Sequence, residues 1–304
     1  MCINKAACRD TLRAIKKNRT SYAFIAPFYL LFVVFTILPV CISIFFSFTS
    51  YNILEPPKLV GWSNYTNLLM ADDVFMIAFK NTLIYALIVG PVSYIVSLLI
   101  AWMIADMNPK FRAFLVLLFY APSISGNMYL IWKVLFSSDS YGYINSFLLT
   151  FGFVDQPIKW LQVKEYILPI IIIVALWMSF GTTFLSFVAG FQGLDKSLYE
   201  AGAIDGVRNR WQELWFITLP LLRPQMMFGA VISITNAFAV SDVAINMAGL
   251  PSVGYGGHTI VTHLMDYGNT RFEMGYASAI ATILFCLMVG INKLFNKFLK
   301  RLGK

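Results

Sequence analysis

Charge is the scarcest commodity in this chain. Asp, Glu, Lys and Arg make up 12% of its 304 residues, against about 25% in an ordinary soluble domain. Hydrophobic residues make up 59%, and the mean hydropathy is +0.71. A soluble fold of this composition would need far more interior than its surface could cover. Histidine occurs twice and cysteine four times, as Cys2, Cys8, Cys41 and Cys286. No pair of cysteines forms a CxxC, so neither a disulfide framework nor a metal cluster is expected. There is no P-loop, since the only Gly-Lys pair is Gly303-Lys304. H-E-x-x-H and G-x-S-x-G are also missing. The chain is therefore expected to be non-catalytic, with no metal and no cofactor of its own. Any uphill work must draw on a partner or an ion gradient. The net charge of +8 does not indicate nucleic acid, because the basic residues sit at the ends of apolar runs with no basic-aromatic stripe.

What is present is a series of long uncharged runs. Tyr22–Phe48 carries no Asp, Glu, Lys, Arg or His. It is too long for a signal-peptide core and has no A-x-A cleavage site, so it reads as an uncleaved span. Ile37-Leu38-Pro39-Val40-Cys41 is no lipoprotein box, because Val40 is too large and Cys41 lies in mid-span. The same criterion predicts an all-α integral membrane protein with six spans near 22–48, 82–105, 113–135, 166–190, 226–247 and 274–295. A basic tail, 1–20, precedes the transmembrane unit, 21–300. With six spans the termini share a side. Of the 23 Lys and Arg, 17 fall on that side and six on the other. The positive-inside bias puts both termini, and a loop at 195–224, in the cytoplasm. The outer segments 49–81, 136–165 and 248–273 are longer than tight turns, and read either as plain loops or as a platform for an external protein. His258, His263 and Asp266 fall in the last of them at a spacing poor for metal ligation, which predicts a solvated loop.

The loop is the one long amphipathic, charge-bearing stretch between two spans, S-L-Y-E-A-G-A-I-D-G-V-R-N-R-W-Q-E-L-W-F-I-T-L-P-L-L-R-P from Ser197 to Pro224. Ser197 and Glu200 have the spacing of a capping box, which starts a helix there. Gly206 ends it, because glycine tolerates a left-handed residue. A second helix is predicted over 208–218, with Trp211, Leu214 and Trp215 on one stripe. Helix, elbow and helix make a knob suited to docking, or else an interfacial helix with no protein partner.

This segment resembles the EAA loop of the permease subunits of bacterial ATP-binding-cassette importers that depend on a binding protein. The matching residues are Glu200, Ala201, Gly202, Gly206, Ile217, Leu219 and Pro220. Ala203-Ile204-Asp205-Gly206 and Ile217-Thr218-Leu219-Pro220 are similar to the carbohydrate-uptake branch, which includes maltose, multiple-sugar and glycerol-phosphate systems. Ala248-Gly249-Leu250-Pro251 and Gly275-Tyr276-Ala277-Ser278-Ala279 extend the likeness over about 20–300. Two positions depart from the pattern. Gly202 replaces the second alanine, and Val207 stands where a small residue is usual. A helical glycine costs about 1 kcal/mol relative to alanine, so the first helix must be weaker or pack more closely. No large outer insertion is present, as in the short form of these subunits.

The resemblance implies a type I permease fold in the bacterial inner membrane. It implies a second homologous permease, two ATPase subunits that hold ATP and Mg²⁺, and an extracytoplasmic sugar-binding protein. Docking would fall to Glu200, Ala201, Gly202, Asp205, Gly206, Trp211 and Leu214. Sugar, above all an oligosaccharide, would cross by alternating access. Polar residues inside spans are costly and mark pathways or interhelical bonds. On that ground Asn236, Asp242, Asn127, Trp177, Ser179 and Tyr276 are candidate substrate contacts, and the resemblance adds weight to Asn236. Two other classes compete. A secondary transporter or channel would want ionisable groups deep in several spans and broken-helix repeats, and Asp242 is the only such group. A membrane-embedded enzyme lacks an acid–base or metal constellation. A glycerol-phosphate importer would want a cavity-facing Arg or Lys, and the spans offer none.

Overall fold

The structure, a computed structural model, describes residues 18–302. Most of the expected tail at 1–20, with Cys2 and Cys8, lies outside the described residues. Among them, five helices are long and apolar enough to cross a membrane, or six if one bent pair counts as a single span. The first is α1, Arg19–Phe46, with none of its most apolar window buried. Its second half packs along the last helix, and it offers apolar side chains on every other face. A helix hydrophobic all round suits lipid or a neighbouring subunit.

The segment after α1 is not plain loop. Thr49–Asn52 (β1) pairs antiparallel with Glu55–Leu59 (β2), and Ser63–Met70 (α2) follows. The longest helix, α3, spans Asp73–Ala105. It begins nine residues before the expected 82, because charged Asp73 and Lys80 sit on its wet first turns and a charge-free test trims them. Its N-cap is Asp72, whose side chain accepts the Phe75 N–H. Pro91 lies inside it and removes one rung of its ladder.

The third expected span is broken. Pro109–Ile124 (α4) and Tyr129–Leu135 (α5) meet at 80°, at the Ser125–Met128 stretch that contains Gly126. After Tyr143–Thr150 (α6), the fourth span divides into Lys164–Met178 (α7) and Thr182–Gln192 (α8) around Gly181. The fifth, which follows the 195–224 loop and its two short helices, Lys196–Ile204 (α9) and Arg210–Glu213 (α10), divides into Arg223–Phe238 (α11) and Asp242–Ala248 (α12). The 248–273 segment folds into a 3₁₀ turn, Val253–Tyr255, then Ile260–Met265 (α13) and a π-turn, Asp266–Thr270. The last helix, α14, is Met274–Leu302.

Helix α3 is the axis of the bundle, since each of the three apolar clusters uses it. Tyr85 and Val89 pack with Ile167, Ile171 and Val174 of α7. Phe75 and Ala86 pack with Phe238, Ile260 and Ile280. Ala101 and Ile104 pack with Phe184, Phe187 and Val188 of α8. Lipid tails are as apolar as these side chains, so specificity between the helices rests on close fit and polar contacts. Ser93 Oγ and Ser233 Oγ are 3.3 Å apart, and the Tyr94 hydroxyl donates to the Met226 carbonyl at 3.1 Å. The Thr183 hydroxyl reaches the Gly229 carbonyl at 3.3 Å.

Candidate docking loop and translocation cavity

The loop at one end of the bundle is built as a capped helix, a glycine elbow and a second helix. The first helix, α9, is Lys196–Ile204, and its cap differs from expectation. Asp195, not Ser197, is the N-cap, and its carboxylate accepts the Ser197 N–H at 3.0 Å. That bond holds the Asp195 carboxyl below its ordinary range. The helix closes as a Schellman motif: Val207 N–H donates to the Gly202 carbonyl at 2.9 Å and Gly206 N–H to Ala203 at 3.3 Å. Gly206 takes φ +96°, a value that L side chains avoid. Both departures from the motif now have a physical reason. A Cβ on Gly202 would lie 2.4 Å from Ile217 Cδ1, with Val207 Cγ2 at 3.7 Å. The glycine admits Ile217, and Val207 supplies the apolar contact that seals the turn.

The second helix starts two residues later than expected. Asn209 caps it, accepting the Gln212 N–H at 2.9 Å, and the Gln212 side chain accepts the Arg208 N–H at 2.8 Å. Arg210–Glu213 (α10) runs on through a π-turn, Leu214–Thr218, to Leu219–Leu221. The expected stripe divides. Leu214 is buried, whereas Trp211 and Trp215 are 59% and 65% exposed. Trp211 packs on Trp102 of α3 with ring centroids 4.9 Å apart. Arg210 ion-pairs with Asp106 and lies 5.3 Å over the Trp102 ring. Thr218 bonds the Tyr199 hydroxyl at 2.9 Å, and burial pushes that phenol up. Glu200, Ala201, Asp205 and Gly206 are exposed, while Gly202 is buried beneath Ile217.

Between the spans lies a cavity of about 500 Å³. Its walls come from α3, the α4–α5 break, the α7–α8 break and the α11–α12 break, so each interruption of a span faces one space. Irregular backbone at membrane depth is tolerated where it lines such a space. Of the expected contacts, Ser179, Asn236 and Asp242 line it together. Asn127 does not; its side chain accepts the Tyr129 hydroxyl at 3.0 Å, and Tyr129 reaches the cavity instead. Trp177 stacks edge-on against Trp132 at 5.6 Å, off the cavity lining. Tyr276 lies elsewhere, as described below. Sequence reasoning passed over Ser93, Ser97 and Ser233, which add hydroxyls to the wall. The available signal was the four-residue spacing of Ser93 and Ser97, which puts both on one face of α3. Asp242 is the cavity's one ionisable acid, and no Lys or Arg lines it.

At the bundle end away from the docking loop, a buried polar network replaces the expected solvated loop. Asp72 Oδ2 accepts from His263 Nε2 at 3.0 Å and from the Tyr276 hydroxyl at 2.9 Å. His263 Nδ1 lies 3.1 Å from His258 Nε2. The Asn81 amide holds the Tyr255 and His258 carbonyls at 3.1 and 3.0 Å. Burial and the neighbouring His263 bring His258 down to about 4. Burial also lowers His263, against the pull of Asp72. For Asp72 burial acts upward, but the Phe75 N–H, Tyr276 and His263 outweigh it and hold the carboxyl low. Among the described residues no group of His, Cys, Asp and Glu is arranged to hold a metal. The network ties the start of α3 to α13 and α14.

The family model for the inner membrane component of binding-protein-dependent transport systems matches residues 11–301. The probable ABC transporter permease protein YesP of Bacillus subtilis is 34% identical over 294 residues, covering 94% of this chain and 92% of that protein. The arabinooligosaccharides transport system permease protein AraP of the same organism is 32% identical, covering 91% and 87%. The lactose transport system permease protein LacF of Rhizobium radiobacter is 29% identical, covering 89% and 90%. In fold, the chain is similar to a crystal structure of a bacterial ABC transporter involved in importing the acidic polysaccharide alginate. That match has a TM-score of 0.77 at 24% identity and covers 97% of this chain and all of the other.

Proposed function

The chain belongs to the family of inner membrane components of binding-protein-dependent transport systems, and we propose that it is one permease half of an ATP-driven sugar importer. The observation that carries the reading is the cavity. Its polar groups are hydroxyls and an amide, with a single carboxylate and no cation, set among apolar side chains such as Val89, Met178 and Val240. Such a wall exchanges hydrogen bonds with sugar hydroxyls and offers nothing to a phosphate dianion, so the glycerol-phosphate alternative is disfavoured. A coupled ion path has little to use either, since Asp242 stands alone. Relatives named for lactose and arabinooligosaccharide transport favour an oligosaccharide.

The expected assembly contains a second, similar permease, two ATPase subunits that hold ATP and Mg²⁺, and an external sugar-binding protein. The Lys and Arg bias supports a cytoplasmic side for the Glu200 loop and both termini. There Glu200 and its exposed neighbours face an ATPase. Closure of the ATPase pair would draw the two loops together and exchange an inward-facing for an outward-facing cavity. Tighter ATP binding to one of the two arrangements supplies the necessary bias.

The test is co-expression with the neighbouring transport genes, followed by pull-down and reconstitution. The native chain should recover an ATPase and take up labelled oligosaccharide only with ATP. Glu200→Ala and Gly206→Pro should weaken recovery. A chain that purifies alone and transports without ATP would sink the reading in favour of a secondary transporter.

A further inference from the structure

We propose that Asp106 and Trp102 form a latch that transmits movement of the docking loop along α3 into the cavity wall, with Arg210 and Trp211 as its other half. The inference rests on the importer reading. Helix α3 lines the cavity with Tyr85, Val89, Ser93 and Ser97, which share one stripe at four-residue spacing. The same helix ends at Ala105, and Asp106 caps it. There Arg210 pairs with Asp106 and covers the Trp102 ring, while Trp211 packs on that ring from the same helix. Arg112 Nη1 donates to the Ala105 carbonyl at 2.8 Å and fixes the turn. Ser97 lies nine residues before Asp106, about 14 Å along a helix, so the latch acts on the cavity through a short rigid lever. Pro91 lies inside the helix just before Ser93 and leaves the Leu87 carbonyl without its i+4 donor. The segment bearing Ser93 and Ser97 therefore belongs mechanically to the Asp106 end. At its far end α3 is held by the Asp72 network, so motion entering at Asp106 is taken up within the helix.

Both charges of the latch are largely exposed, at 51% and 75% for the side chains. An exposed pair adds little to folding stability, so variants should fold and assemble. Asp106 and Arg210 are positioning residues: they touch no sugar, and their effect should appear in coupling.

The experiment uses the complete reconstituted transporter, comparing native protein with Asp106→Asn, Arg210→Gln and the exchange Asp106→Arg with Arg210→Asp. ATPase recovery, sugar affinity and sugar carried per ATP are measured together. The single variants should keep recovery and affinity while sugar per ATP falls about fivefold, the scale of a weak coupling between sites. The charge exchange should restore at least half of it, with the melting temperature unmoved throughout, whereas a merely structural role would move the melting temperature. Unchanged stoichiometry in the single variants would overturn the latch. So would loss of ATPase recovery, which would assign the pair to docking itself, or an exchange that restores nothing. Native vesicles with no ATP-dependent uptake would sink the importer reading and the latch with it, and that outcome is read before any variant.

Discussion

His263 donates from Nε2 to the Asp72 carboxylate over 3.0 Å, with side-chain exposures of only 1% and 10%. Burial lowers both imidazoles, and with both rings neutral the hydrogen bonds assign the tautomers. If Nε2–H of His263 points at the carboxylate, its Nδ1 accepts from His258 Nε2–H, and His258 Nδ1 is left as a buried nitrogen without a partner. Two neutral imidazoles against one carboxylate close the start of α3 on α13 and α14 without burying net positive charge.

Acid should loosen this closure. His258 is held near 4 by burial and His263, against an ordinary value of 6.5, with Asp266, Asp72 and Arg271 as the other charges acting on it. Its folded value is depressed, so the unfolded chain binds the proton first. The contribution is full above about pH 6.5 and is lost as pH falls from there toward 4. His263 acts in the same direction, and Asp72 adds to it only below about pH 4. The melting temperature of the purified chain should fall between pH 7 and pH 5. His258→Gln should flatten that slope, and an unchanged slope would contradict the assignment.

Asp72→Ala should destabilise by about 2–3 kcal/mol, because it strands the buried His263 N–H and the half-buried Tyr276 hydroxyl and removes a helix cap. Tyr276→Phe should cost about 1 kcal/mol in stability and leave sugar affinity unchanged. Thermal unfolding and equilibrium sugar binding on the same preparations separate the two effects.

At the docking loop, Gly202→Ala should lie within about 1 kcal/mol of native. The helix gains propensity, and Ile217 Cδ1, the flexible end of its side chain, gives way. Gly202→Val adds branches that meet both Ile217 and Val207, and should reduce ATPase recovery. Gly206→Ala forces a Cβ into the left-handed region at a cost of about 1–2 kcal/mol. Pull-down yield beside melting temperature ranks the three.

Much of this architecture is legible in the sequence, because uncharged runs of membrane length can fold only as helices. The elbow was legible too, since Gly206 and the Leu219-Pro220 exit carry their own local chemistry. The breaks in the spans were less so. Gly126, Gly181 and Ser241 interrupt hydrogen-bond ladders, yet hydropathy averages over them. Long-range pairs left no local trace. Asp72 and His263 are 191 residues apart, and Asp106 and Arg210 are 104 apart. Polarity singled out Asn236 and Asp242, which line one cavity, but could not separate Tyr276, whose hydroxyl serves Asp72. Nor could it tell the Ser197–Glu200 spacing from the true cap at Asp195, two residues earlier.

The cavity itself makes a ranked prediction. Asn236 lines it from α11 and Asp242 opens α12 just across the break, so both amide and carboxylate face the same space. Removing one neutral hydrogen bond to a sugar hydroxyl costs about 1–1.5 kcal/mol, so Asn236→Ala should weaken half-saturation about tenfold. A carboxylate acceptor is stronger, and Asp242→Ala should exceed that by severalfold. Trp177 packs on Trp132 off the cavity lining, so Trp177→Phe should change affinity by less than about threefold while lowering stability, because only apolar packing is altered. Uptake by the reconstituted complex across a range of sugar concentrations gives all three. An effect of Trp177→Phe larger than that of Asn236→Ala would mean that the sugar sits nearer α5 than the present cavity allows.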